Sequence, residues 1–107
     1  MVNYLNNVIL YRLMKSLTTI KKEIIPVLKK HGIEKAEIFG SYATGDENTK
    51  SDLDILIKPP RGMTLIEISR LKQELQEILG IKVDLVNYKY INPYIKRYIL
   101  KEKTVVI

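Results

Sequence analysis

The sequence contains no cysteine and no tryptophan, and His31 is its single histidine. Without cysteine there is no disulfide framework, no thiolate nucleophile and no cysteine zinc site. One histidine cannot form a cluster of histidine ligands around a metal ion. These absences exclude the usual thiol and zinc enzymes, so any metal site must use oxygen ligands.

Long apolar runs are also absent. No stretch approaches the roughly 18 consecutive apolar residues of a membrane-spanning helix. The first residues, Met1-Val2-Asn3-Tyr4, lack the basic start and long apolar segment of a signal peptide. We therefore expect a cytoplasmic protein that does not enter a membrane.

The 107 residues are 46% hydrophobic and 28% charged, which is the composition of one globular domain. The net charge of +6 suggests an anionic partner, such as a nucleotide, a nucleic acid or an acidic protein surface. A solvated basic surface explains the charge equally well. The same two interpretations apply to Lys89, Lys96 and Arg97. In the first, they contact ATP phosphates or an acidic partner. In the second, they form a solvated basic face.

The hydrophobic pattern predicts a small α/β (α+β) domain, with helices flanking a small mixed sheet. Pro26 should kink the first helix or start a new turn, because proline removes a backbone donor. In chain order the predicted elements are a helix at 16–31, strands at 34–39 and 53–57, a helix at 65–79, a strand at 81–86, a helix at 92–100 and a strand at 104–107.

Two helical faces are predicted to enter the core. In the helix at 65–79, Thr64 and Glu67 form a capping box, Met63 and Ile68 a hydrophobic staple, and an apolar stripe runs along one face. The stripe consists of Leu65, Ile68, Leu71, Leu75, Ile78 and Leu79. The last helix should bury Ile91, Tyr94, Ile95, Tyr98 and Ile99.

Two segments are distinguished by their composition. Residues 16–107 hold every predicted strand and are expected to form the functional domain. Residues 1–15 are expected to form an N-terminal extension able to adopt a helix, and Met14 is an alternative initiator.

Asp52 and Asp54 stand two positions apart at the start of an apolar strand. Residues i and i+2 of a strand point to the same side, about 7 Å apart, so both carboxylates can approach one ion. Asp84 lies within the next predicted strand and can add a third oxygen ligand. Oxygen-only ligands suit a hard cation such as Mg²⁺.

Gly40 and Ser41 follow the first strand and are expected to form a turn that binds a phosphate group. Glycine allows close approach of the backbone, and the Ser41 hydroxyl with free N–H groups can face an anion. Each motif also has an ordinary structural explanation, because Asp-X-Asp is common where a strand meets solvent and Gly-Ser is common in turns. The combination, rather than any single motif, favours a site.

The combination resembles the nucleotidyltransferase superfamily that includes DNA polymerase beta. The sequence reads Phe39-Gly40-Ser41, ten residues, then Asp52-Leu53-Asp54-Ile55, with Val83-Asp84-Leu85 as the later carboxylate strand. Residues 16–107 are more specifically similar to the minimal nucleotidyltransferase (MNT) family. The shared motifs are Gly-Ser-Tyr-Ala-X-Gly, Ser-Asp-X-Asp, Val-Asp-Leu-Val and Asn-Pro-Tyr-Ile.

This resemblance implies a nucleotidyltransferase fold of the polymerase beta type and transfer of AMP from ATP to a hydroxyl. By the resemblance, Asp52, Asp54 and Asp84 bind Mg²⁺, and Gly40 and Ser41 hold the triphosphate. It also implies an antitoxin whose partner is a HEPN ribonuclease toxin, neutralised by adenylylation of a tyrosine. Asp84 is then the candidate general base for that tyrosine.

Two alternatives to an active adenylyltransferase are kept. An MNT antitoxin with an idle site would inhibit its partner by binding alone. A basic nucleic-acid-binding module is disfavoured, because three carboxylates would lie in the path of the phosphates, so nucleic acid is not expected as a direct substrate. The sequence does not identify the modified tyrosine, the number of AMP groups, the nucleotide preference or the oligomeric state.

Overall fold

The structure is a computed structural model that describes residues 16–40, 52–94 and 103–107. In these ranges the chain forms helix α1, strands β1 and β2, helix α2, strand β3, a single 3₁₀ turn and strand β4. Their bounds are α1 Leu17–Lys30, β1 Lys35–Phe39, β2 Leu53–Lys58, α2 Leu65–Leu79, β3 Val83–Asn87, the 3₁₀ turn Tyr88–Tyr90 and β4 Lys103–Val105.

The ends of both helices follow from local chemistry. Ser16 caps α1, where its Oγ accepts a hydrogen bond from the Thr19 N–H at 3.2 Å. Thr64 and Glu67 form the predicted capping box of α2. Gly80 ends α2 with a φ of 68°, a left-handed conformation that glycine adopts without the strain of a Cβ atom.

The four strands form one mixed sheet in the order β3-β2-β1-β4. Strand β1 pairs antiparallel with β2 and with β4, whereas β2 and β3 run parallel. The parallel pair needs a crossover, and α2 provides it. The predicted small mixed sheet with flanking helices is confirmed.

The hydrophobic core lies between the two helices and one face of the sheet. Alternation along β1 and β2 directs Ala36, Ile38, Leu53, Ile55 and Ile57 into this core, and each is at most 1% exposed. The opposite face therefore carries the intervening residues of the same strands. Within the described ranges, no helix has the length and apolar character needed to cross a membrane.

Several predicted details differ from the structure. Helix α1 continues through Pro26 as a single element, Leu17–Lys30, so no new helix starts there. Leu65, predicted to be buried, is 82% exposed because it lies in the first turn of α2, beyond the edge of the core. Tyr94, also predicted to enter the core, is 87% exposed.

Other predictions fall on residues outside the described ranges. These are the N-terminal extension at 1–15, Ser41 with the loop that follows it, and the last helix beyond Tyr94. The start of that helix is described, and the Asn92 Oδ1 accepts a hydrogen bond from the Tyr94 N–H at 2.9 Å. Asn92 therefore caps a helical start at Pro93, as predicted.

Candidate active site

The two strand aspartates lie side by side. Asp54 of β2 and Asp84 of β3 are direct partners in the parallel register. Neighbouring strands are about 4.8 Å apart, so the two Cα atoms are close and both side chains project from the face opposite the helices. The sheet therefore brings together two of the three predicted carboxylates.

Asp52 completes the group from the residue before β2. It is exposed, and it precedes Asp54 by two positions. Its charge acts on Asp54, as does the charge of Asp84. The three carboxylates predicted from the sequence are thus neighbours at one end of the parallel strand pair.

Gly40 meets this group from the third strand. Phe39 at the end of β1 is the register partner of Asp54, so Gly40 comes immediately beside the carboxylate. A Cβ atom built on Gly40 would lie only 2.5 Å from Asp54 Oδ2, and the φ of 75° is itself a conformation suited to glycine. The bare Cα of Gly40 therefore leaves room for the Asp54 side chain.

The electrostatics of Asp54 show concentrated negative charge. Burial first, and then the charges of Asp84 and Asp52, raise the pKa of Asp54 from 3.8 to about 6. A cation held between these carboxylates would favour the ionised form of Asp54 and would lower its pKa again. The site is thus suited to binding a positive ion.

The donor set fits Mg²⁺ in type. All three side chains offer carboxylate oxygens, which are the ligands of a hard divalent cation. Among the described residues, no three His, Cys, Asp or Glu side chains are grouped so that they could hold a metal ion. The fit to Mg²⁺ therefore rests on the type of ligand and on the strand register. Ser41, the predicted phosphate ligand, lies outside the described residues.

The sequence reasoning missed a charged cluster on the same sheet face. Glu37 in β1 is only 3% exposed, and its Oε2 lies 3.0 Å from Lys103 Nζ of β4, in an ion pair. The Tyr88 hydroxyl is buried beside Glu37, and burial, followed by its interaction with the Glu37 carboxylate, raises the pKa of Tyr88. A glutamate in the middle of an apolar strand was the available signal.

Comparison with known proteins agrees with this geometry. Residues 22–107 match the family model described as "Polymerase beta, Nucleotidyltransferase". The chain is 46% identical over 87 residues to a Methanocaldococcus jannaschii protein named "Putative protein adenylyltransferase MJ0435", covering 81% of this chain and 94% of that protein.

Two solved structures share the fold. One, described as a "putative minimal nucleotidyltransferase", has a TM-score of 0.71 and 32% identity, covering 81% of this chain and 89% of the other. The second is the MNT antitoxin in complex with a tri-AMPylated HEPN toxin of Shewanella oneidensis. It has a TM-score of 0.67 and 21% identity, covers 84% of this chain and 71% of the other, and shows that the two chains share a fold.

The fold, the paired aspartates and the adjoining glycine define a nucleotidyltransferase. The chain belongs to the polymerase beta nucleotidyltransferase family and, within it, to the minimal nucleotidyltransferases. The family and the fold predicted from the motifs are therefore confirmed.

Proposed function

We propose that this protein is the antitoxin of a HEPN/MNT toxin–antitoxin pair and that it transfers AMP from ATP to a tyrosine hydroxyl of its HEPN toxin. The observation that carries the proposal is the register of Asp54 with Asp84, with Asp52 two residues away and Gly40 against the carboxylate. The name of the M. jannaschii relative and the AMPylated toxin in the S. oneidensis complex support the acceptor class.

The same carboxylates are the proposed Mg²⁺ ligands. When bound by Asp52, Asp54 and Asp84, the ion would neutralise phosphate charge and favour departure of pyrophosphate. Gly40 and Ser41 are proposed to accept the triphosphate, because a glycine with no side chain lets the backbone approach an anion closely. Residues 16–107 are proposed as the minimal nucleotidyltransferase domain.

The acceptor hydroxyl requires a base. Tyrosine has a free pKa of about 10, so a neutral phenol is a weak nucleophile near pH 7. Asp84 is exposed on β3 and is the proposed acceptor of the phenol proton. The phenol oxygen forms a bond to the α-phosphorus, the bond from that phosphorus to the bridging oxygen breaks, and pyrophosphate leaves.

The direct test uses ATP labelled at either the α or the γ phosphate. The protein is mixed with Mg²⁺, labelled ATP and the HEPN protein encoded beside it, and label on the HEPN protein is followed. We expect transfer of the α label only, and its loss in Asp52→Asn. Transfer of the γ label would instead indicate a kinase and would contradict the proposal.

The alternative is an MNT antitoxin that inhibits its partner by binding alone. It predicts a tight complex with no label from either phosphate, and neutralisation that survives the double variant Asp52→Asn/Asp54→Asn. The grouping of Asp52, Asp54 and Asp84 favours the active enzyme, because three neighbouring carboxylates are a ligand set suited to a hard cation.

A further inference from the structure

An apolar groove opens at the end of the sheet away from the aspartates. It is a cavity of about 480 Å³ between the start of α2 and the end of β3. We define the apolar groove by six lining residues: Ile57, Met63, Leu65, Ile68, Leu85 and Tyr90. Ile57 follows Asp54 by three residues, so its Cα lies about 10 Å from that of Asp54 along β2, and its side chain points to the opposite face of the sheet.

The rim of the groove exposes large apolar side chains to solvent. Leu65 is 82% exposed and Tyr90 is 76% exposed, one on each side of the opening. Leu65 belongs to the apolar stripe of α2, whose later members Leu71 and Leu75 are fully buried. Adjacent exposed apolar residues around a concave surface are typical of an interaction site.

A basic rim adjoins the groove. A second cavity of about 540 Å³ shares Met63 and Tyr90 with it and adds Lys58, Arg61 and Lys89. No aspartate or glutamate is among the described residues that line either cavity. Lys89 Nζ lies 5.8 Å from the centre of the Tyr90 ring, so the cation and the apolar rim are in contact.

We propose that the apolar groove and its basic rim dock the acceptor protein, through an acidic segment that places an apolar side chain in the groove. Charge complementarity selects this occupant, because the charged side chains of the basic rim, Lys58, Arg61 and Lys89, are all cations and the whole chain carries +6. The proposal rests on the proposed function, since it takes the HEPN toxin as the acceptor.

Two other occupants fit the surface less well. A second copy of this chain would bring two positively charged surfaces together. RNA would satisfy the cations, but the floor of the groove is aliphatic, with Ile57, Ile68 and Leu85, whereas bases stack on aromatic or guanidinium planes. Both occupants are outcomes of the test.

The position of the groove determines what its loss should change. A toxin held in the groove stays bound beside the enzyme while its tyrosine reaches the aspartates on the opposite face of the sheet, which raises the effective concentration of the acceptor. Loss of docking should therefore raise the KM for the toxin. It should leave the affinity for ATP unchanged, because the groove contains none of the proposed nucleotide ligands.

The experiment compares matched surface variants. Leu65→Asp changes the groove, whereas Ile66→Asp places the same charge one residue away on a side chain that is 67% exposed and does not line the groove. The pair Lys58→Glu/Arg61→Glu reverses two charges on the basic rim. Its control, Lys22→Glu/Lys29→Glu, makes the same change at exposed positions of α1.

Binding of each variant to the neighbouring HEPN protein is measured by calorimetry without ATP, and the KM for that protein is measured with ATP. We expect Leu65→Asp and Lys58→Glu/Arg61→Glu to weaken binding at least about tenfold and to raise the KM similarly. The two controls should stay within about twofold of the wild type. The groove variants and the controls should have the same affinity for ATP and the same melting midpoint.

Unchanged HEPN binding by both groove variants would overturn the proposal. It would also be overturned if these variants lost only self-association or only binding to a single-stranded RNA, or if the wild type did not bind the HEPN protein. Failure of the proposed function looks different. In that case the wild type binds, the groove variants bind weakly, and no AMP is transferred by any of them.

Discussion

Gly40 and Asp54 fit together at the end of the antiparallel pair β1–β2. A Cβ atom on Gly40 would lie 2.5 Å from Asp54 Oδ2, which is closer than a carbon and an oxygen can approach without displacement. The backbone of Gly40 also has a positive φ. At position 40 of the predicted phosphate turn, both the backbone conformation and the neighbouring carboxylate therefore favour glycine over any other residue.

The first prediction concerns Gly40→Ala. We expect about a 100-fold loss of AMP transfer, because the added methyl group must displace the Asp54 carboxylate, and a shift near 1 Å can cost that much. Gly80→Ala is the control, since Gly80 also has a positive φ but has open space around its Cα. It should lose about 1 kcal/mol of stability with unchanged activity. Equal activity in the two variants would contradict the prediction.

The second prediction tests whether AMP transfer needs the negative charge of the aspartates, as distinct from their contribution to the fold. Asp52→Asn, Asp54→Asn and Asp84→Asn should each lower AMP transfer at least about 100-fold while the circular dichroism spectrum stays that of the wild type. Glu77→Gln, an exposed carboxylate of α2, should retain activity. A variant of Asp52 or Asp54 with wild-type activity would exclude that residue as a metal ligand.

The third prediction is a pH dependence of stability in the protein without added metal. Because the folded pKa of Asp54, about 6, lies above the ordinary 3.8, the folded state binds this proton more tightly than the unfolded state. Asp54 should therefore lower the free energy of unfolding as pH rises from about 4 to about 6. The effect should be about 1 kcal/mol, because solvent screens this half-exposed group.

Urea unfolding at several pH values checks this dependence. Asp54→Asn should remove the decrease between pH 4 and 6, and it should stabilise the metal-free protein above pH 6. Mg²⁺ should stabilise the wild type more at pH 7 than at pH 5. The same pH profile for the wild type and Asp54→Asn would show that Asp54 has an ordinary pKa.

The fourth prediction tests the ion pair of Glu37 with Lys103. Lys103→Met leaves the buried Glu37 carboxylate without its cation, which should cost about 2 to 3 kcal/mol of unfolding free energy. The double variant Glu37→Gln/Lys103→Met should recover most of that loss, because it removes the uncompensated charge as well. Chemical denaturation measures both. Additive losses in the double variant would mean that the pair is not coupled.

Much of the fold could be predicted from the sequence because its signals are local. Thr64, Glu67 and Gly80 fix the two ends of α2, and the structure gives the predicted bounds, Leu65–Leu79. The alternation of apolar residues in β2 likewise places Asp54 on the face opposite Ile55, and the same alternation in β3 places Asp84. The site residues that share a strand face were therefore accessible to sequence reasoning.

What the sequence did not predict depends on contacts between distant residues. The exposure of Leu65 depends on where the core ends, because Leu65 is the first residue of α2 and lies at the edge of the apolar stripe. The pairing of Glu37 with Lys103 requires β4 to lie beside β1, a neighbour relation that no local pattern specifies. The contact of Gly40 with Asp54 follows from the register of β1 with β2.

The measurement that tests the central claim most directly is recovery of toxin activity after the antitoxin is removed. The neighbouring HEPN protein is incubated with ATP, Mg²⁺ and either the wild type or Asp52→Asn/Asp54→Asn, then separated under denaturing conditions, refolded and assayed as a ribonuclease. A sample of the toxin treated without antitoxin controls for refolding. We predict that toxin exposed to the wild type stays inactive and carries AMP, whereas toxin exposed to the double variant is active. Full recovery of unmodified toxin after exposure to the wild type would contradict adenylylation and would leave inhibition by binding alone.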